Sequence, residues 1–181
     1  MRVITGTARG RKIKTPADDL IRPTTDGVKE AVFNIIQFDI EGRRVLDLFA
    51  GTGQLGIEAL SRGAASALFV DESAAAVKLI RENLHSTGLE RNARVVQGDS
   101  IRFLQSGEQF DLIFLDPPYD SSLLDKALQN IIEFDILKEN GIIVCESKFS
   151  KEMPRVLLPY RMKKEYKYGK VKITVYTKAA E

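Results

Sequence analysis

The chain has 181 residues, 44% hydrophobic and 29% charged, a balance that suits one soluble globular domain with a small appendage and excludes a disordered chain. Its net charge of +2 hides an uneven spread: five basic groups and no acid in residues 1–14, nine basic groups against two acids in 148–172, and 12 against 22 acids in between. Two basic ends around an acidic middle raise two readings, a polyanionic partner or a set of solvated faces.

No run of about 18 apolar residues occurs, so no membrane span is expected. Met1–Gly6 also lacks the apolar stretch of a signal peptide. The one cysteine, Cys145, lies in the run Ile142-Ile143-Val144-Cys145 and reads as a packed strand residue. With a single histidine, His85, it cannot build the usual Cys/His zinc site, so no metal is expected. These features predict a reducing, cytoplasmic location.

In chain order, Val3–Gly6 and Arg11–Lys14 flank Thr7-Ala8-Arg9-Gly10 and predict a small basic β-hairpin ending near Pro16. We take residues 1–20 as an N-terminal extension and 21–181 as the main domain. Arg22-Pro23-Thr24-Thr25-Asp26 reads as a loop with a helix cap, after which Val28, Ala31, Val32, Ile35 and Ile36 share one helix face. Arg44–Phe49 predicts a strand, followed by a glycine-rich turn and a helix through Leu55, Ala59 and Leu60 that stops at Gly63. Ala67–Val70 is a second strand, and Ser73 can cap a helix carrying Val77, Ile80 and Leu84 that closes at Gly88. Ala93–Gln97 is a third strand, with a short helix near 101–105 after it. Leu112–Leu115 is a fourth strand, followed by a helix carrying Leu124, Leu128, Ile131 and Ile132, and Gly141–Glu146 is a fifth strand. Strands joined by helices predict an α/β fold with a mainly parallel sheet covered on both faces. The last part differs: Arg161–Tyr168 and Val171–Lys178 around Gly169 predict an antiparallel hairpin.

Gly51-Thr52-Gly53-Gln54-Leu55-Gly56 places G-x-G-x-x-G between a strand and a helix, the context of a nucleotide-binding turn. Asp71 ends the next strand 20 positions after Gly51, where an acid can accept from both ribose hydroxyls. The other reading is an ordinary tight turn, with Asp71 leading into the next helix. Asp47 sits inside an apolar strand four residues before Gly51. A carboxylate aimed at the cleft disfavours a phosphate and suits a cation, such as the amino group of S-adenosylmethionine. Asp99 ends the third strand, where it can accept from an adenine amine, cap the next helix, or do both.

Asp116-Pro117-Pro118-Tyr119 follows the fourth strand directly. Ligands of open α/β sheets bind outside the carboxyl ends of the strands, so this segment is expected to meet the cofactor. Two prolines fix φ and remove two donors, leaving a rigid loop that presents the Asp116 carboxylate and the Pro117 carbonyl. Tyr119 adds a ring on which a base can stack. Such a set suits the exocyclic amine of a nucleobase, whose lone pair is delocalised into the ring. Two acceptors on its hydrogens draw the nitrogen toward tetrahedral geometry and expose the lone pair to an electrophilic methyl group, with orientation supplying much of the rate.

Asp47–Gly53 together with Asp116–Tyr119 resembles the amino-methyltransferases that use S-adenosylmethionine. The basic N-terminal hairpin, Arg22–Glu30 and Phe33-Asn34 narrow the likeness to the guanine-N2 methyltransferases of bacterial 16S ribosomal RNA. The resemblance covers nearly the whole chain. It implies a Rossmann-like, mainly parallel seven-stranded sheet with an antiparallel last strand. It implies cofactor contacts at Thr24, Asp47, Phe49, Gly51, Thr52, Gly53, Asp71, Glu72, Asp99 and Ser100, and catalytic contacts at Asp116, Pro117, Pro118 and Tyr119. Arg22, Thr24 and Thr25 can instead serve the cap of the following helix. The implied partner is 16S ribosomal RNA in the small subunit or an assembly intermediate, gripped by Arg2, Arg9, Arg11, Lys12, Lys14 and Arg22 and by the C-terminal lysines. The alternatives are a DNA amino-methyltransferase, for which the chain leaves no room for a sizeable base-reading domain, and a non-catalytic RNA-binding assembly factor. A nicotinamide dehydrogenase fits least, because of Asp47.

Overall fold

A computed structural model describes residues 1–17 and 25–180. The order of elements is α1 (Asp26–Ile35), β1 (Arg44–Leu48), α2 (Gln54–Ser61), β2 (Ser66–Asp71), α3 (Ala74–Thr87), β3 (Ala93–Gln97), α4 (Ser100–Phe103), β4 (Phe110–Leu115), α5 (Leu123–Glu133), β5 (Leu137–Lys148), β6 (Tyr160–Tyr168) and β7 (Val171–Lys178). Local chemistry sets the helix ends. Thr25 caps α1 by accepting from the Val28 N–H, and Ser73 caps α3 by accepting from the Ala76 N–H. Gly88 closes α3 in the left-handed conformation.

The strands form a seven-stranded sheet in the order β3-β2-β1-β4-β5-β7-β6. β1 to β5 run parallel, and β7 runs antiparallel to both β5 and β6. This is the Rossmann-like arrangement expected from the alternating pattern. The chain reverses its lateral direction between β1 and β4, and open α/β sheets bind ligands in the crevice at such a point.

Alternation along the strands sorts side chains to two cores. Val45, Phe69, Phe114 and Val144 pack with Val32 and Phe33 of α1 and Ile57 of α2 on one face. Leu46, Val70, Leu115 and Cys145 pack with Leu128 and Ile131 of α5 on the other. Cys145 is fully buried, and burial pushes its thiol well above the ordinary value, in keeping with a packing role. β5 is longer than expected. Leu137 pairs with Phe110 ahead of an irregular register, and the polar Lys138-Glu139-Asn140 stretch ahead of the expected start at Gly141 belongs to the strand.

The N-terminal hairpin is short. Arg2 and Lys12 make one antiparallel bridge, and the Val3 N–H donates to the Arg11 carbonyl at 2.9 Å. Its apolar residues Val3, Ala8 and Ile13 are buried in the same core as Phe33 and Ile57. A Cβ on Gly6 would stand 1.8 Å from the Ser61 carbonyl oxygen, so only glycine lets the hairpin seat on α2. Below it lies a buried ionic group. The Lys29 ammonium donates to the Arg2 carbonyl at 2.7 Å and lies 4.0 Å from Glu58, whose carboxylate accepts from the Ile4 N–H at 2.8 Å. Burial pulls the Lys29 ammonium below its ordinary value, and Glu58 opposes that pull. The boundary at residues 20 and 21 lies outside the described residues. No described helix is long and apolar enough to cross a membrane.

Candidate active site

The turn after β1 folds back through left-handed residues. Phe49, Gly51 and Gly53 have φ of 61°, 59° and 79°. Phe49 is not a glycine, so its backbone stores about 1–2 kcal/mol of strain at this point. Gly56, one turn into α2, has no room for a side chain: a Cβ there would lie 2.4 Å from the Phe69 ring and 3.2 Å from Asp47. That close approach lets the Gly56 N–H reach the Asp47 carboxylate at 2.9 Å.

Backbone donors hold each strand-end acid of this half. Asp71 accepts from the Gly51 N–H at 2.9 Å and from the Ser73 N–H at 3.0 Å. A carboxylate offers about four acceptor positions, so both strand-to-helix bonds leave capacity for hydroxyl donors. Asp99 caps α4 by accepting from the Arg102 N–H at 2.9 Å, the capping option considered from the sequence. Asp47 is 1% exposed, and burial, with Asp71 nearby, pushes its carboxyl up to about 8 against the opposing Gly56 bond. The sequence suggests a charged carboxylate in an open cleft. The structure gives instead a buried acid that stays largely protonated at neutral pH until a cation approaches.

A cavity of about 590 Å³ opens at the carboxyl ends of β1, β2, β4 and β5. Its walls include Asp47, Phe49, Gly51, Thr52, Asp71, Glu72, Asp99 and Ser100 from the β1–β3 half. Asp116, Pro117, Pro118 and Tyr119, which follow β4, line it as well. The glycine turn and the tetrapeptide, more than sixty positions apart in sequence, therefore face one space. Gly53 does not line it; as the residue before α2 it sets the angle of that helix. Thr24 and Arg22 lie outside the described residues. Thr25 and Val28 of α1 do line the cavity.

Two residues that the sequence reading passes over matter here. The Tyr119 hydroxyl donates to Glu146 at 2.7 Å, fixing the ring of the tetrapeptide from β5. Glu146 also lines the cavity and is 8% exposed. Its signal was an acid at the end of the apolar run Ile142–Cys145, akin to that of Asp47 inside the apolar stretch of β1. Asn83 of α3 is fully buried and donates to the Thr52 carbonyl at 2.9 Å and to the Lys14 carbonyl at 3.1 Å. It ties the glycine turn to the basic N-terminal segment.

The basic residues divide. Arg2, Arg9 and Lys12 are exposed; Arg11 reaches the Ser86 carbonyl, and Lys14 pairs with Glu82 at 3.5 Å. At the other end, Lys148 pairs with Asp120, Lys151 with Asp125 and Lys172 with Glu165. The raw charge count therefore overstates the cations that the C-terminal region presents.

Comparison with known proteins places the whole chain. The family described as Conserved hypothetical protein 95 matches residues 1–177. YlbH of Bacillus subtilis (strain 168), provisionally named an rRNA methyltransferase, is 41% identical over 182 residues, covering 98% of this chain and 99% of its own. Ribosomal RNA small subunit methyltransferase D of Escherichia coli (strain K12) is 35% identical over 182 residues, covering 100% of this chain and 91% of its own. The solved structure of yhhF from Escherichia coli superposes with a TM-score of 0.90 at 34% identity, covering 100% of this chain and 99% of that one.

Proposed function

We propose a function from the premise that this chain belongs to the family described as Conserved hypothetical protein 95. It is an rRNA methyltransferase of the small-subunit kind, with 16S ribosomal RNA as its substrate. The finer reading is transfer to the exocyclic N2 amine of a guanine, in the cytoplasm, on the small subunit or an assembly intermediate. The observation that carries it is the Asp116–Tyr119 loop opening into the same cavity as the glycine turn.

The residues present fit S-adenosylmethionine. The cavity has the volume of a nucleoside-sized site, where about 300–1,000 Å³ is usual. Buried Asp47 would hold the ammonium, Asp71 and Glu72 the ribose hydroxyls, and Asp99 with Ser100 the adenine edge. The bound cofactor supplies an electrophilic methyl group. The protein's part is orientation: the Asp116 carboxylate and the Pro117 carbonyl accept the hydrogens of the target amine, and Tyr119, braced by Glu146, stacks on the base. A paired base is out of reach of this loop, so the guanine enters from a loop or is flipped out. Arg2, Arg9 and Lys12, with Arg11 and Lys14, would hold phosphates beside it, as would Arg22.

The test is incubation of labelled cofactor with small-subunit particles from a strain lacking the enzyme, followed by mass-spectrometric mapping of the modified base. Label on guanine N2 is expected. Label on another atom, on duplex DNA, or on no base overturns the reading.

A further inference from the structure

Three acids, Asp47, Asp116 and Glu146, line one cavity at the carboxyl ends of neighbouring strands. Asp47 of β1 aligns with Phe114 of β4, Phe114 aligns with Val144 of β5, and Leu115 aligns with Cys145. Asp116 is the first residue after β4, and Glu146 follows Cys145 in β5, so the two acids stand at the end of that register. Side chains alternate along a strand, so Glu146 keeps the face of Val144. Adjacent strands lie about 4.8 Å apart, and both carboxylates line the one cavity.

Asp116 by itself does not choose a base. Adenine, cytosine and guanine all carry an exocyclic amine, and acceptors on its hydrogens suit each of them. The bases differ in the ring nitrogen next to that amine. In adenine and cytosine the one such nitrogen is an acceptor; in guanine the amine sits between N3, an acceptor, and N1–H, a donor that the other two lack. A second carboxylate beside the first attracts a guanine N1–H and repels the ring lone pair of the other two.

Resting on the guanine-N2 reading above, we propose that Glu146 is the residue that selects guanine. It accepts from N1–H while Asp116 accepts from the N2 amine. The Tyr119 hydroxyl, 2.7 Å from Glu146 Oε1, orients the carboxylate and takes one of its about four acceptor positions. The low exposure of Glu146 makes the discrimination strong, because a base without the donor leaves a buried acceptor facing a lone pair.

The test compares RNA carrying guanine with RNA carrying 2-aminopurine at the target position. The analogue keeps the 2-amine but has an unprotonated N1. Wild-type protein is expected to favour guanine strongly in kcat/KM. Glu146→Gln keeps an oxygen for the Tyr119 hydroxyl and turns an amide N–H₂ toward N1. It is expected to lower kcat/KM on guanine about 10- to 100-fold and to narrow or reverse the preference. Glu146→Ala is expected to lose the preference without gaining on the analogue. Calorimetric titration of cofactor checks that both variants keep an intact cofactor half. A guanine to 2-aminopurine ratio that stays at the wild-type value in both variants overturns the assignment, since a part confined to bracing Tyr119 lowers both substrates alike. If the wild type methylates guanine N2 and only the ratio fails to move, the assignment of Glu146 alone falls. If the wild type leaves guanine N2 unmethylated, the functional reading falls with it.

Discussion

The two halves of the strand-end cavity are held together by different kinds of bond. Around β1, β2 and β3, each acid accepts from a backbone N–H: Asp47 from Gly56, Asp71 from Ser73 and, 20 residues back, from Gly51, and Asp99 from Arg102. Around β4 and β5, the Tyr119 side chain donates to the Glu146 side chain, 27 residues away. A backbone donor survives any side-chain substitution that keeps the turn. A side-chain pair changes with a single substitution. The fixed half faces the proposed cofactor, which many methyltransferases share, and the adjustable half the proposed base, which varies between them.

The sharpest way to break that comparison is Asp116→Ala. Removing the acceptor proposed to orient the amine is expected to lower kcat about 10²- to 10⁴-fold, while cofactor affinity by calorimetry stays close to wild type. A matching loss of cofactor affinity would mean that the halves are not separable.

A smaller effect is expected from Asp47→Asn, in the cofactor half. The Asn side chain can still accept from the Gly56 N–H but cannot carry charge, so cofactor affinity is expected to fall about 10-fold at neutral pH. The pH dependence is more telling. Asp47 in the free protein titrates at about 8, so binding a cationic group below that pH must displace its proton. Wild-type affinity is therefore expected to rise between about pH 6 and about pH 7.5, and the Asn variant to show a flat profile. Stability moves the other way. A carboxyl raised in the folded state binds more protons folded than unfolded, so wild-type stability declines from about pH 4 toward 8, and the variant lacks this decline. Urea titrations across that range measure it.

An effect of similar size, on RNA rather than on cofactor, is expected at the rim. Replacing Arg9, Arg11 and Lys12 together by alanine removes cations from a segment that Asn83 links to the cofactor turn. RNA affinity is expected to fall about tenfold, and its slope against salt concentration to drop by about 2, at ~0.7 per lost phosphate contact to a single strand. Cofactor affinity is expected to hold. An unaltered slope would return those charges to the solvated surface.

Much of the cofactor half was legible in the sequence because its bonds are local. The G-x-G-x-x-G spacing and the Ser73 and Asp99 caps lie within a turn and the helix after it, and the 20-residue step from Gly51 to Asp71 spans one helix and the strand that follows. The sheet was legible for a related reason: runs of apolar residues separated by helical periods leave few ways to bury both faces. Length of β5 was not, because Lys138-Glu139-Asn140 is polar and its pairing depends on Phe110 in another strand. Nor was the clamp on the hairpin, where Lys29, Glu58 and Asn83 read as ordinary helix-surface residues yet are fully buried.

The sequence by itself determined the α/β class, the glycine turn and the tetrapeptide, since each depends on spacing within one stretch of chain. The tertiary structure alone decided which acids share a space and in what state. Strand order put the end of β4, with Asp116 after it, next to β5 and Glu146, through lateral pairing that no local pattern encodes. Burial, a sum over residues from every layer, turned Asp47 from a presumed open charge into a carboxyl near 8.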